Sequence, residues 1–422
     1  MDTTGGYRFA YDPPAIRHGV GCVDNLGGEL GALGLGRALV VCGRTVGSRS
    51  EVIGPVREGL GDRFVGVFDR TTPKKRLDTA IACAERAREL EADVLVGLGG
   101  ASSIDVARVA SAVAASERSP AALGEQLAST ATIAVPDGTV PVAAVPTTLA
   151  GGSLSMLAGV TADPDSGLVD SPVGGGVGDP RLMPDSVVYD PELVATTPRD
   201  VLAGSAMNGF NKGLETLYSS ARTPITDATA TQGLETLSTA LRSLGSDPTV
   251  ETLDAALRGV TLAQYGVSRG SGTTFSLLHA LGHALRIHTD VQLGIAHGVV
   301  APAALEWLFG AVDGRRALLA SALGVGQAAD PADAVVGAVR DLRDALGLPT
   351  RLGEIDGIDR SMIEGIAAMT ADSFLLANDA PNAAPSSADP LDSAVGWSGS
   401  PHAPPEFHIS AEDVGGILET AW

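Results

Sequence analysis

Short apolar runs alternating with amphipathic stretches fill the first half of the chain. Residues 37–42 form a compact apolar run closed by Gly43, and residues 64–68 form a second. Residues 76–90, with Leu77, Ile81 and Leu90 apolar, read as a helix, and the run 93–97 follows. After another helical stretch, 106–115, comes the run 140–145. Strands buried on both faces read as continuous apolar runs rather than as alternation, which is the pattern here. Strands separated by helices of this length predict βαβ units and a parallel sheet.

Past residue 190 the pattern changes. Residues 201–222, 225–245, 250–268, 272–288, 296–323 and 331–346 are rich in Ala and Leu and predict helices, with no strand among them. The seam falls within 184–198, dividing an α/β domain over 1–190 from an all-helical domain over 191–422. A Pro/Ser/Asp-rich stretch, 378–405, predicts a long loop. A last helix starts at Ser410, where Ser410-x-x-Asp413 matches a capping box.

Composition narrows the setting. With 422 residues, 44% of them hydrophobic, the chain is long enough for two or three cores. The formal charge is −21, from 50 acidic and 29 basic residues, and the lysines are Lys74, Lys75 and Lys212 alone. So acidic a surface with so little lysine predicts a halophilic cytoplasm, and without a basic stripe it excludes nucleic acid as a partner. Cys22, Cys42 and Cys83 are scattered and odd in number, which predicts free thiols in a reducing compartment. No uninterrupted apolar run of membrane-spanning length and no signal-peptide pattern is read, so a cytoplasmic protein without a membrane partner is expected.

Four of the seven histidines lie between residues 279 and 297. His279 and His283 are four apart in an apolar helical run, which puts both on one face, read as buried; His288 and His297 follow. Imidazole is a common transition-metal ligand and titrates near neutrality. The alternative for each is a core histidine bonded to a backbone carbonyl. Gly97-Leu-Gly99-Gly100-Ala101-Ser102-Ser103-Ile-Asp105 leaves a predicted strand and opens a helix, an arrangement whose free N–H groups suit a diphosphate. Its alternative is a tight turn capped by Ser102 or Ser103. A second strand end, Pro146-Thr147-Thr148-Leu-Ala-Gly151-Gly152-Ser153, carries small and hydroxylated residues suited to a ribose and nicotinamide. Two such loops at the ends of parallel strands suit a ligand crossing the sheet's carboxyl edge.

These segments, with Pro184-Asp-Ser-Val-Val-Tyr-Asp190-Pro191 and His279…His283…His297-Gly298, resemble the iron-containing (group III) alcohol dehydrogenase family over nearly the whole chain. The resemblance implies a dehydroquinate synthase-like architecture: a Rossmann-like dinucleotide-binding domain, an all-helical catalytic domain and a cleft between them. It implies an NAD(P)-dependent oxidoreductase acting on a small alcohol/carbonyl pair, as a homodimer or larger homo-oligomer. Gly43, Gly99, Gly100, Ala101, Ser102, Asp105, Thr147, Thr148 and Ser153 are its cofactor-binding candidates. His279 and His297 match two of the family's ligands for iron or zinc, and His283 matches an active-site histidine between them.

The other two ligand positions depart from the family. In Ser205-Ala-Met-Asn208-Gly-Phe-Asn-Lys212-Gly-Leu-Glu215, Asn208 stands where the family has Asp, and Lys212 where it has His. The Asn resembles the maleylacetate reductase branch, as does Pro146-Thr-Thr-Leu-Ala-Gly. Two imidazoles and an amide are a poor divalent-metal set, and an ammonium among them repels the ion. Lys212 and Asn208 therefore join His283 as catalytic candidates, with Lys212 polarising a carbonyl in place of the metal. The alternative puts Lys212 in solvent. Gly43 and Arg44, where the family can carry an Asp that rejects the NADP 2′-phosphate, favour NADP over NAD. Beside the oxidoreductase stand two other classes: a cyclising synthase using NAD catalytically, and a nucleotide-binding relative without catalysis.

Overall fold

In the computed structural model, residues 7, 9–246, 248–270, 272–289, 291–373, 375–376 and 408–422 are described here. The stretch 378–405, read as a long loop, lies outside them. The described residues divide into two compact units. One runs from Asp12 to Thr148 and from Gly152 to Thr197; the other holds Leu149–Gly151, Pro198 onward and the N-terminal stretch ending at Tyr11.

In the first unit the strands are β1 (Ala15–His18), β2 (Ala38–Gly43), β3 (Phe64–Thr71), β4 (Val94–Gly99), β5 (Val142–Pro146), β6 (Leu157–Ala162), β7 (Val173–Gly178) and β8 (Ser186–Tyr189). Six make one sheet in the order β1-β8-β5-β4-β2-β3, and every pairing in it is parallel. Successive residues of β2 feed opposite cores. Leu39 and Val41 pack with α1 (Leu77–Glu89) and α2 (Ala101–Ala115), whereas Ala38, Val40 and Cys42 pack with Val52, Val56 and Leu60 of the helix Ser50–Leu60. Helices on both faces explain why these strands read as unbroken apolar runs.

The antiparallel pair β6–β7 is an addition to the expected pattern. Gly174, Gly175 and Gly176 of β7 give no side-chain alternation to read. In exchange they admit a close approach, since a Cβ on Gly175 would lie 2.0 Å from the Ala131 carbonyl oxygen.

The second unit is helical: α3 (Arg199–Tyr218), α4 (Pro224–Leu244), α5 (Val250–Gln264), α6 (Leu277–His288), α7 (Leu293–Ala311), then Arg316–Ala322, Pro331–Ala345, Ile363–Ala371 and Ala411–Thr420. Ser410 and Asp413 form the expected capping box. The helix expected over 296–323 is two helices: the first ends at Ala311, where Val312 turns extended (φ −141°, ψ 168°), and Gly314 and Arg315 take positive φ (56°) before the second begins. The helix expected from 272 starts at Leu277, behind a two-residue antiparallel pairing of Ser268–Arg269 with Gly272–Thr273. By length and composition α7 is apolar enough to cross a membrane, although His297 and Glu306 interrupt its apolar run. Most of it is buried within the fold, the behaviour of a core helix. All three cysteines are free, as expected.

Candidate active site

The chain leaves β2 for β3 on one side and returns to β4 on the other, so strand order reverses between β2 and β4. Ligands of open parallel sheets bind outside the carboxyl ends at such a point. β2 ends at Gly43, and β4 ends at Gly99, whose φ of 127° lies where side chains are strained. Gly100 caps α2 without a side-chain hydrogen bond, and Ser103 does not act as the cap, its hydroxyl pairing with Thr71 Oγ1 at 2.9 Å. First-turn N–H groups of α2, from Ala101 and Ser102, are therefore available as anion donors. Thr147 N–H donates to the Gly99 carbonyl at 3.0 Å, and the Thr148 methyl would lie 3.5 Å from a Cβ on Gly100. This edge fits a dinucleotide diphosphate, with Thr147 and Thr148 beside it.

Two candidates face elsewhere. The Asp105 carboxylate is buried between Lys75 and Arg108 and accepts the Gly159 N–H at 3.2 Å. Arg108, itself fully buried, also donates to the carbonyls of Gly152 (2.8 Å) and Ser153 (3.2 Å). Asp105 thus serves the loop through Arg108. The Ser153 hydroxyl pairs with Tyr189 Oη at 2.7 Å.

In the helical unit, α3 carries Asn208, Lys212 and Glu215 at i, i+4 and i+7, one face of the helix. Its upper turns grip Leu149–Gly151. Ser205 Oγ accepts the Leu149 N–H at 3.1 Å, Asn208 Nδ2 donates to the Ala150 carbonyl at 3.4 Å, and Lys212 Nζ donates to the Gly151 carbonyl. Gly209 makes the approach possible, since a Cβ there would stand 2.3 Å from the Leu149 oxygen. Lys212 is only 5% exposed, with Nζ 5.3 Å from the Phe275 ring centre, so the solvent-facing alternative does not hold.

The Phe275 ring stacks on His279 at 4.0 Å and 7°. His279 Nδ1 contacts Glu215 Oε2, while Glu215 Oε1 accepts the backbone N–H groups of Ser276 (3.1 Å) and His279 (3.0 Å). The His297 ring lies 4.7 Å from that of His279 and rests on Gly282, where a Cβ would sit 2.3 Å from Nε2. His279 Nε2, both ring nitrogens of His297, Asn208 Oδ1 and Ser276 Oγ are buried without a hydrogen-bond partner. Such an atom costs roughly 1–3 kcal/mol unless a ligand satisfies it. His283 departs from the expectation of a shared buried face. It is exposed, its ring 6.3 Å from that of His279. His288 follows the structural alternative, with Nδ1 2.9 Å from the Ala284 carbonyl.

Burial, then the charge of Lys212, drives the His279 pKa well below its ordinary value; burial, then the neighbouring His279, does the same to His297. Both rings are neutral at pH 7. Burial pushes the Glu215 carboxyl up to about 7, against the pull of its backbone N–H donors. Glu215 and Phe275 carry no role in the sequence reading. The legible signal was Glu215's position three residues beyond Lys212 on the same face.

A divalent metal does not fit this set. Among the described residues no three His, Cys, Asp or Glu side chains are grouped to hold one. The local carboxylate is engaged by His279 and two backbone amides, and an ammonium stands at a ligand position.

A dinucleotide edge on one unit and a histidine–lysine cluster on the other define a nicotinamide-dependent oxidoreductase. Residues 13–191 match the family model "Iron-containing alcohol dehydrogenase", and residues 202–386 match "Fe-containing alcohol dehydrogenase family, C-terminal". The chain belongs to the iron-containing alcohol dehydrogenase family and is an NAD(P)-dependent enzyme interconverting an alcohol and a carbonyl. It is 30% identical to maleylacetate reductase of Sphingobium indicum over 90% of this chain and 94% of that one. It is also 30% identical to 4-hydroxybutyrate dehydrogenase of Cupriavidus necator, over 85% and 92%. Its fold matches that of an alcohol dehydrogenase from Oenococcus oeni with a TM-score of 0.80 at 19% identity, covering 98% of this chain and 100% of that one.

Proposed function

We propose that the enzyme reduces the carbonyl of a carboxylate-bearing substrate, with the Lys212 ammonium polarising that carbonyl where relatives use a metal. The carrying observation is Lys212 itself, buried on α3 four residues from Asn208 and facing Phe275, at a position where the family has a histidine ligand. The nicotinamide supplies or accepts the hydride. Negative charge then builds on the carbonyl oxygen, and a buried ammonium stabilises it most where water is excluded. Asn208 orients the substrate, and the exposed His283 exchanges protons with solvent. The sheet unit holds the dinucleotide through Gly43, Gly99–Ser102, Thr147 and Thr148, and the helical unit performs the chemistry.

The substrate class rests on charge. The cluster offers the Lys212 ammonium and the buried Ser276 hydroxyl, while the carboxylate described there, Glu215, is already engaged, so it favours an anion. The names of the two 30% relatives, a maleylacetate reductase and a 4-hydroxybutyrate dehydrogenase, point the same way. Gly43 with the exposed Arg44 makes NADP the preferred cofactor.

Protein stripped with chelator keeps its NAD(P)H-dependent reduction of an oxo-carboxylate. Lys212→Ala loses on the order of 100-fold or more in kcat, the scale of one lost oxyanion donor. Activity that vanishes on chelation and returns with iron or zinc overturns this mechanism.

A further inference from the structure

The cluster contains one acid that the mechanism above leaves without a task. Glu215 is wholly buried and has no cationic side chain at hydrogen-bond distance among the contacts described; its two oxygens do different things. Oε1 is anchored by two backbone N–H groups where α6 begins, at 3.1 Å and 3.0 Å, with the Tyr218 hydroxyl 3.4 Å away. That anchor turns Oε2 onto His279 Nδ1. The Phe275 ring, stacked 4.0 Å from the imidazole and 7° from parallel, holds the ring plane. Nε2 is left buried and without a partner, 2% of the histidine being exposed.

We propose that Glu215 is a positioning residue that holds His279 as its Nδ1–H tautomer, so that Nε2 accepts the hydroxyl hydrogen of the alcohol substrate. With Oε1 already taking two backbone N–H groups, the carboxylate, ionised above its pKa of about 7, accepts only at Oε2, which makes Nδ1 the donor and leaves the lone pair on Nε2, so the tautomer is read well above that pH. Carboxylates and carbonyls behind histidines set the tautomer in this way at many sites. Nε2 meets no hydrogen-bond partner while Nδ1 faces the carboxylate, so the ring's N–H belongs on the Nδ1 side. A bare Nε2 has consequences for direction. The alcohol has an O–H to give it and the carbonyl has none, so His279 recognises one partner of the redox pair and not the other. The same histidine that matches a metal ligand in the resemblance thus serves as a hydrogen-bond acceptor in this chain. This inference rests on the reading above only for bringing the substrate oxygen to this cluster.

Glu215→Gln is the deciding variant. Its amide oxygen still accepts the two backbone N–H groups, while its amide nitrogen donates to Nδ1 and forces the Nε2–H tautomer. Nitrogen-15 NMR of the histidine-labelled full chain with NADP+ bound reads the tautomer without any turnover. The wild type gives the Nδ1–H pattern for His279, and the Gln variant gives the reverse. Kinetics with 4-hydroxybutyrate and its aldehyde then show KM rising about tenfold for the alcohol, the worth of one hydrogen bond, with the aldehyde KM unchanged. A merely structural Glu215 would move both. A wild-type Nε2–H pattern, or an equal rise for both partners, overturns the proposal. Failure of the wild type to use this pair counts against the carboxylate substrate alone, because the NMR result still decides the tautomer. Should the Gln variant not fold, Glu215→Asp keeps the acceptor and must keep the Nδ1–H pattern.

Discussion

At the scale of single residues the cluster depends on what is absent as much as on what is present. Gly282 lies between His279 and His283 on α6, and its missing side chain is the space the His297 ring occupies. His297 is fully buried, so it has nowhere to swing if that space is filled. Gly282→Ala would set a Cβ 2.3 Å from Nε2 and 2.4 Å from Cδ2, closer than any real contact. The expected outcome is a loss of roughly 1–3 kcal/mol of stability from overpacking. The same change drops kcat at least tenfold as the ring moves, read from a melting curve and a steady-state assay on one preparation. An unaltered kcat would show that His297 takes no part in the reaction.

At the scale of elements the decisive piece is the β4–α2 junction. A strand buried on both faces ends at Gly99 with φ 127°, and α2 begins two residues later under the Gly100 cap. Nothing in a propensity scale selects that arrangement over a serine cap; what it does is leave the first-turn N–H groups open to an anion. Gly100→Val leaves the helix and the sheet in place but puts a branched side chain at the diphosphate, toward the Thr148 methyl. Binding of NADPH, followed by its fluorescence, should be lost while far-UV circular dichroism stays as in the wild type. Unchanged titration would place the phosphate site elsewhere.

At the scale of the whole molecule the dominant quantity is the charge of −21 on 422 residues. Exposed ion pairs such as Arg86–Glu89 and Arg360–Glu419 offset little of it, since surface pairs contribute at most about 1 kcal/mol each. Self-repulsion of this kind is screened by salt, the Debye length falling from about 8 Å at 0.15 M to about 3 Å at 1 M. The melting temperature should therefore climb steadily as KCl rises from about 0.1 M towards molar concentrations. A flat or falling curve would mean that the acidic excess does not bear on stability.

How much of this was legible in the sequence follows from the range over which each feature is decided. Strands β2 to β5 and most of the helices could be read directly, because burial on both sheet faces and the 3.6-residue period are local patterns. The Asn208–Lys212–Glu215 face and the Gly99–Gly100 turn were legible for the same reason. β7 was not, since three glycines leave no alternation, nor was the break between Val312 and Arg315, a matter of backbone dihedrals. Asp105 reads as a cofactor ligand until Lys75, thirty residues earlier, and Arg108 are seen to enclose it. His279 and His283 read alike at four-residue spacing, yet one is buried against Phe275 and Glu215 while the other meets solvent. Residue types and their helical phase were written in the chain. Which carboxylate faces which nitrogen was decided only when distant segments packed, because hydrogen-bond partners are set by three-dimensional proximity and not by spacing along the backbone.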